Sequence, residues 1–193
     1  LEGMDKRETI LQAASRAFAT KGFHDSKVEE IASVAGVAKG TVYLYFKDKS
    51  TLLYEVLHYT REKYKHGLEE ETERYTTAYD KLLGYTRFHL AQFPNMVKLH
   101  KLNMEQLTKF HNDPSSRRRM KDEQEGMMDF LTQIVQLGMD SGEFRTVNAR
   151  DAALLCWGAM HANVHWAMVN EVEEIDSDRA EGIVNLILSG IGK

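Results

Sequence analysis

Proline and cysteine are almost missing from this chain: two prolines, Pro94 and Pro114, and one cysteine, Cys156, stand in 193 residues. So few prolines favour long uninterrupted helices. A lone cysteine excludes a disulfide within the chain and fits a reducing compartment. No run approaches 18 apolar residues, and the N-terminus lacks a charged-then-apolar leader. A cytoplasmic protein without a membrane partner is therefore expected. HExxH, CxxC, GxSxG and phosphate-loop patterns are absent, so neither a cofactor nor an enzyme activity is expected. There is no internal repeat, no low-complexity tract and no strand-like alternation, which points to an all-α fold. Leu1-Glu2-Gly3 before Met4 reads as a cloning scar.

What is present is a soluble composition, 42% hydrophobic and 28% charged, with a net charge of -4. The acidity is uneven. Residues 1–49 hold eight Lys/Arg and seven Asp/Glu, and residues 38–49 hold three basic and one acidic. The basic footprint is local, which predicts modest non-specific nucleic-acid affinity rather than none.

That footprint coincides with the most specific pattern in the chain, SKVEEIASVAGVAKGTVYLYFKDK from Ser26 to Lys49. Ser26 and Glu29 have capping-box spacing, and Val28, Ile31, Ala32 and Ala35 make one apolar helix face. Gly36 suits a sharp turn between helices, and Val37 can plug the corner. A second short helix from about Ala38 to Tyr45 then carries Lys39, Thr41, Tyr43 and Tyr45, side chains suited to phosphates and base edges. Capped helix pairs of this kind also occur in all-helical proteins generally, so a helical ligand-binding or enzymatic protein with an incidental motif is the alternative.

Together with ILQAASRAFATKGF (Ile10–Phe23) and GTVYLYFKDKSTLL (Gly40–Leu53), this stretch resembles the N-terminal domain of the TetR family of bacterial transcription regulators. The resemblance covers about residues 7–55. It implies that Ser26, Tyr43, Tyr45 and Lys49 touch phosphates and that Lys39, Gly40 and Thr41 face the major groove of an operator. Ser26 stands where the family often has Thr, and Tyr45 where His is frequent. The family also implies a homodimer on a near-palindromic double-stranded site.

The expected organisation is a DNA-binding domain at 4–50, with its motif at about 27–46, followed by a ligand-sensing and dimerisation domain at 51–193, about nine helices in all. The first helix should run from about Asp5 to Lys21, stopped by Gly22, and Asp48 should cap a long fourth helix ending near Glu73. A fifth helix is expected over Tyr75–Phe93, with Pro94 opening a sixth that ends near His111. Asp113-Pro114 should start a seventh, Gly142 end it, and Asn148 cap an eighth that is apolar almost all round. On the ninth, Ala180, Ile183, Val184, Ile187, Leu188 and Ile191 form a packing seam. Leu155, Ile183, Val184, Ile187 and Leu188 are the candidate dimer interface, although the same helices could form the monomer core instead.

Phe88, Leu99, Met127, Phe130, Ile134 and Trp157, with Met104, could line an apolar effector cavity, and Asn103, His100 or His161 could orient the effector. A small apolar or acyl-type molecule is the expected partner. His161 and His165 share a helix face but lack further ligands nearby, so no metal site is expected. Arg117-Arg118-Arg119 is a solvated charge cluster or a contact for an anionic part of the effector. The function these features imply is ligand-responsive transcriptional control, with repression favoured.

Overall fold

The computed structural model describes residues 5–172, 175–176 and 178–190, without the side chains of His100, Leu102 and His111. Among these residues lie nine α-helices and no strand: α1 (Lys6–Asp25), α2 (Val28–Val34), α3 (Lys39–Tyr45), α4 (Lys49–Glu73), α5 (Ala78–Leu102), α6 (Met104–Asn112), α7 (Pro114–Asp140), α8 (Ala149–Val169) and α9 (Asp178–Ser189). Ile191 of the expected seam lies outside the described residues. None of the helices is long and apolar enough to cross a membrane.

The chain gathers into two compact units, Leu1–Tyr64 with Asn95–Arg117, and Lys65–Pro94 with Arg118–Lys193. The first unit therefore reaches beyond residue 50 and takes in α6. Its core is built from Ile10, Ala14 and Phe18 of α1, Ile31 of α2, Val42 of α3 and Leu52, Leu53 and Val56 of α4, joined by Leu99 and Leu107. Burying each of the larger of these side chains contributes about 1.5–3 kcal/mol relative to leaving it in water.

Helix boundaries follow local chemistry. The Asp5 carboxylate accepts from the Arg7 amide at 3.1 Å and starts α1. Asp48 accepts from Thr51 N at 2.7 Å at the start of α4, and Asp113 from Ser116 N at 2.8 Å at the start of α7. The Asn148 side chain accepts from Arg150 N and Asp151 N to begin α8. Gly142, at φ 79°, ends α7 in a backbone conformation that side chains with a Cβ resist.

Two boundaries differ from the sequence pattern. Pro94 lies inside α5 rather than opening a new helix, and the break falls at Asn103, at φ -123° and ψ 15°. There the Asn103 amide turns back, donating to Leu99 O at 2.6 Å and Phe18 O at 3.3 Å. A side chain that competes for backbone acceptors ends this helix. At the other site, the expected capping box does not form. Gly22 leaves helical geometry at φ 75°, and the buried Ser26 hydroxyl donates to Gly22 O at 2.6 Å. The residue before α2 is Lys27, which makes no side-chain cap.

Candidate nucleic-acid interface and effector site

The two helices of the reading motif are set by the turn between them. Ala35 N donates to Ile31 O at 2.9 Å and Val37 N to Ala32 O at 3.0 Å, with Gly36 between them at φ 69°. Val37 packs against the core of the first unit, so the corner is filled as expected. Val42 and Phe46 anchor α3 inward, which leaves the opposite side of a seven-residue helix for solvent.

That outer side carries Lys39, Gly40, Tyr43 and Tyr45, all exposed, with Thr41 half-buried. A Cβ added at Gly40 would meet no atom within 4 Å, so α3 can approach a surface closely there. Lys39 Nζ donates to Glu29 Oε1 at 2.5 Å and stands 5.9 Å from the Tyr43 ring centroid. The hydrogen bond and charge of Lys39 hold the Glu29 carboxyl below its usual range, and Glu29 holds the ammonium above its own. Lys49 donates to His24 O at 3.2 Å and lies 4.5 Å over the Phe23 ring, which ties the start of α4 to the end of α1. Ser26 is not part of this surface, because its hydroxyl is buried and bonded to Gly22 O. A side-chain phosphate contact from Ser26 does not fit that placement. Leu44, 85% exposed, joins the surface instead. The sequence carries that signal only as an apolar residue off the core-facing stripe.

The expected effector residues are divided. Leu99 and Asn103 belong to the first unit: Leu99 is in its hydrophobic core and the Asn103 amide is bonded to Phe18 O and Leu99 O. Leu99 thus packs in the core of the first unit, the Asn103 side-chain oxygen is buried without a hydrogen-bond partner, and Met104 beside them is exposed. The His100 side chain lies outside the described residues. Phe88, Met127, Phe130, Ile134, Trp157 and His161 belong to the second unit, where Ile134 is buried and the others are half-buried.

Around His161 the second unit builds a connected aromatic cluster. The His161 ring lies 3.8 Å from Trp157, 4.6 Å from His89 and 4.7 Å from Phe93, centroid to centroid. Tyr85 continues it, 6.5 Å from His89 and 6.2 Å from Phe130. Tyr85, His89 and Phe93 recur every four residues on α5, a pattern in the sequence that points to this cluster as clearly as the residues expected there. His161 Nδ1 donates to Trp157 O at 2.9 Å, which fixes the neutral tautomer with Nε2 as acceptor. Burial, and then the neighbouring His161, push His89 down to about 3. Burial also lowers His161. Burial raises the Tyr85 phenol, with the Cys156 thiol adding to it, and raises Cys156 itself to about 11. A thiol so held is an unreactive core residue. His165 is exposed, whereas His161 is half-buried.

A cavity of about 440 Å³ opens in the same unit. It is bounded by Leu82 of α5, Val135 of α7, Phe144 and Arg145 of the following turn, Leu155 and Cys156 of α8, and Ile187 and Leu188 of α9. Glu143 at its edge is fully engaged, accepting from Ala78 N at 3.1 Å and Tyr79 N at 3.0 Å. None of the residues expected to line an effector pocket borders this cavity, whereas Leu155, Ile187 and Leu188, expected at an interface, do.

The residues expected at an interface differ in their burial within the chain. Ile183 and Val184 are buried within their own chain, because the α9 seam packs against α8 of the same molecule. The outward apolar surface is made by Leu154, Leu155, Trp166 and Val169 of α8 and Leu186 of α9. In the arginine cluster, Arg117 and Arg118 are exposed and Arg119 pairs with Glu123 at 3.7 Å.

This architecture has relatives. Residues 10–56 match the family described as bacterial regulatory proteins, tetR family, and residues 60–193 match the QacR-like C-terminal region. The chain is 28% identical to the fatty acid metabolism regulator protein of Bacillus subtilis (strain 168), over 94% of its own length and 93% of that protein. The crystal structure of the regulator FadR from Bacillus subtilis in complex with stearoyl-CoA superposes with a TM-score of 0.75 at 26% identity, covering 96% of this chain and 99% of that one. FadR from Bacillus halodurans superposes with a TM-score of 0.75 at 22% identity, over 99% and 98% of the two chains. The chain belongs to the tetR family of bacterial regulatory proteins, as a ligand-responsive transcriptional regulator with an N-terminal helix-turn-helix.

Proposed function

We propose that this protein is a homodimeric repressor that releases a near-palindromic operator when a long-chain acyl-type effector, of the acyl-CoA class, binds its second unit. The observation that carries the effector class is the full-length likeness to a fatty acid metabolism regulator and to a structure holding stearoyl-CoA. The apolar cavity and the aromatic cluster of the second unit fit such a ligand, since effector pockets are mostly apolar with a few placed polar groups.

In this reading Lys39, Gly40 and Thr41 face the major groove, with Leu44 available to a thymine methyl group. Tyr43, Tyr45 and Lys49 position the head on phosphates. The second copy covers the outward apolar surface of α8 and α9, where the exposed Gly158, Ala162 and Gly182 leave room for close approach of helices. Control is a matter of differential affinity: the effector weakens operator binding only as far as it prefers the DNA-free state. Coupling of about 1–3 kcal/mol is ordinary, and DNA must weaken the effector by the same factor.

The test is a titration of a fluorescent operator complex with acyl-CoA thioesters of increasing chain length. Dissociation at concentrations that saturate the free protein supports the reading. A thioester that binds the protein and leaves operator affinity unchanged overturns it.

A further inference from the structure

The Tyr85 hydroxyl is fully buried and makes no hydrogen bond. Leaving a buried hydroxyl unpaired is unfavourable, and phenylalanine would fill the same space without that penalty. The ring has its contacts: Phe130 at 6.2 Å and a nearly parallel His89 at 6.5 Å. Only the oxygen lacks a purpose within the chain.

Its surroundings limit what could meet it. The rings linked to Tyr85 are those of Phe130, His89, Phe93, His161 and Trp157. None carries a charge at neutral pH, for burial keeps both histidines unprotonated. Among these rings a carboxylate would find no fixed positive charge, and a buried charge without a counter-ion is strongly disfavoured. A neutral carbonyl accepts one hydrogen bond and brings no charge. Space for an apolar chain lies close by: the cavity of about 440 Å³ is bounded by Leu82, three residues before Tyr85 on α5, and by Cys156, whose thiol is near enough to act on the Tyr85 phenol.

We propose that Tyr85 is the hydrogen-bond donor to the thioester carbonyl of the effector, so that this protein distinguishes an acyl thioester from the corresponding free acid by charge at that oxygen. The assignment rests on the acyl-effector reading above and adds the group that recognises the acyl carbonyl.

The experiment compares the full chain with Tyr85→Phe, using stearoyl-CoA, stearic acid and the S-octadecyl thioether of CoA, which keeps the chain and the nucleotide but lacks the carbonyl. The wild-type protein should bind the thioester at least about tenfold more tightly than the acid or the thioether, the worth of one well-made hydrogen bond. Tyr85→Phe should lose about that tenfold for the thioester and nothing for the thioether. With a ¹³C-labelled thioester, the carbonyl stretch should lie lower in the wild-type complex than in the variant. The ligand-free variant should melt no lower than the wild type, because the hydroxyl it lacks had no partner. Equal binding of thioester and thioether, or an unchanged thioester affinity in Tyr85→Phe, overturns the Tyr85 assignment and leaves the acyl reading standing. Failure of all three ligands to bind the wild-type protein overturns both.

Discussion

Lys39 of α3 donates to the Glu29 carboxylate of α2 at 2.5 Å, so the cation at the front of the reading helix is held from the neighbouring helix rather than left to swing. A held cation presents a defined donor to a base edge, whereas a mobile one serves any phosphate. Glu29→Gln should therefore relax preference at the base pair Lys39 reads and raise affinity for unrelated duplex, since a negative charge leaves the surface. Lys39→Ala should change preference at the same pair by about tenfold. Tyr43→Ala should weaken all sequences alike. Selection from a randomised operator pool, scored position by position, checks the set; identical preference profiles in all three variants would remove α3 as the reader.

The buried histidines give a pH dependence with a definite sign. His89 and His161 have folded values below their unfolded ones, His89 at about 3. A base held neutral by the fold binds its proton more readily in the unfolded chain, so stability is full above about pH 6.5 and falls as pH drops below it. For His89 alone the loss at pH 5 is about 2 kcal/mol. The carboxylates of Glu8, Asp113 and Glu143 sit below their usual range and contribute losses only at more acidic pH. Urea unfolding at pH 7.5 and pH 5 should show this decrease, and His89→Phe should remove most of it. A stability that is flat over this interval in the wild type would refute the account.

How much of this was legible beforehand depends on the range of the interaction that decides each feature. Asp48, Asp113 and Asn148 announce their helices because a cap acts over three residues. Gly36 and Gly142 do so because positive φ is a property of one residue. Ser26 misleads for the opposite reason: its hydroxyl can accept from a helix-start amide or donate to a carbonyl, and the opening of α1 at Gly22 presents the carbonyl it takes. Pro94 and Asn103 mislead together, since a helix can carry a proline when a stronger local competitor ends it later. Leu99 and Asn103 share the helical spacing of an effector lining, yet α5 runs through both compact units and its last turns belong to the head. Periodicity reports a face and is silent on which core that face meets.

The distinction between Val184 and Leu186 follows from the same point and can be measured. Val184 is fully buried in its own chain, and Leu186, two residues on, is 56% exposed. Leu186→Glu should leave a folded chain that sediments as a monomer and loses operator affinity, because a charge placed in the proposed interface has no partner there. Val184→Glu should unfold the protein, at a cost of about 3–5 kcal/mol. Analytical ultracentrifugation alongside circular dichroism separates the two outcomes. A dimer that survives Leu186→Glu together with Trp166→Glu would place the interface elsewhere.

Control requires that α4 be tied to the head, and within the first unit it is tied at two levels. Arg7 Nη2 pairs with Glu55 Oε2 at 2.6 Å, and one and two turns further along α4, Tyr59 Oη and Lys63 Nζ donate to Glu8, both at 3.1 Å. These bonds lower the Glu8 carboxyl and raise Lys63. Helix α4 runs to Glu73, so residues of one helix belong to both units. Removing both ties, with Glu8→Ala and Arg7→Ala together, should loosen α1 from α4 while leaving the buried contacts of Phe18 and Val56 in place. Effector affinity of the isolated protein should stay the same, since neither residue is in the second unit. The factor by which effector weakens operator binding should fall several-fold, because each tie transmits part of a coupling that is only about 1–3 kcal/mol in all. Operator titrations at zero and saturating effector give that factor directly. If it is unchanged in the double variant, the coupling runs through α5 or α7, the other helices that contribute to both units.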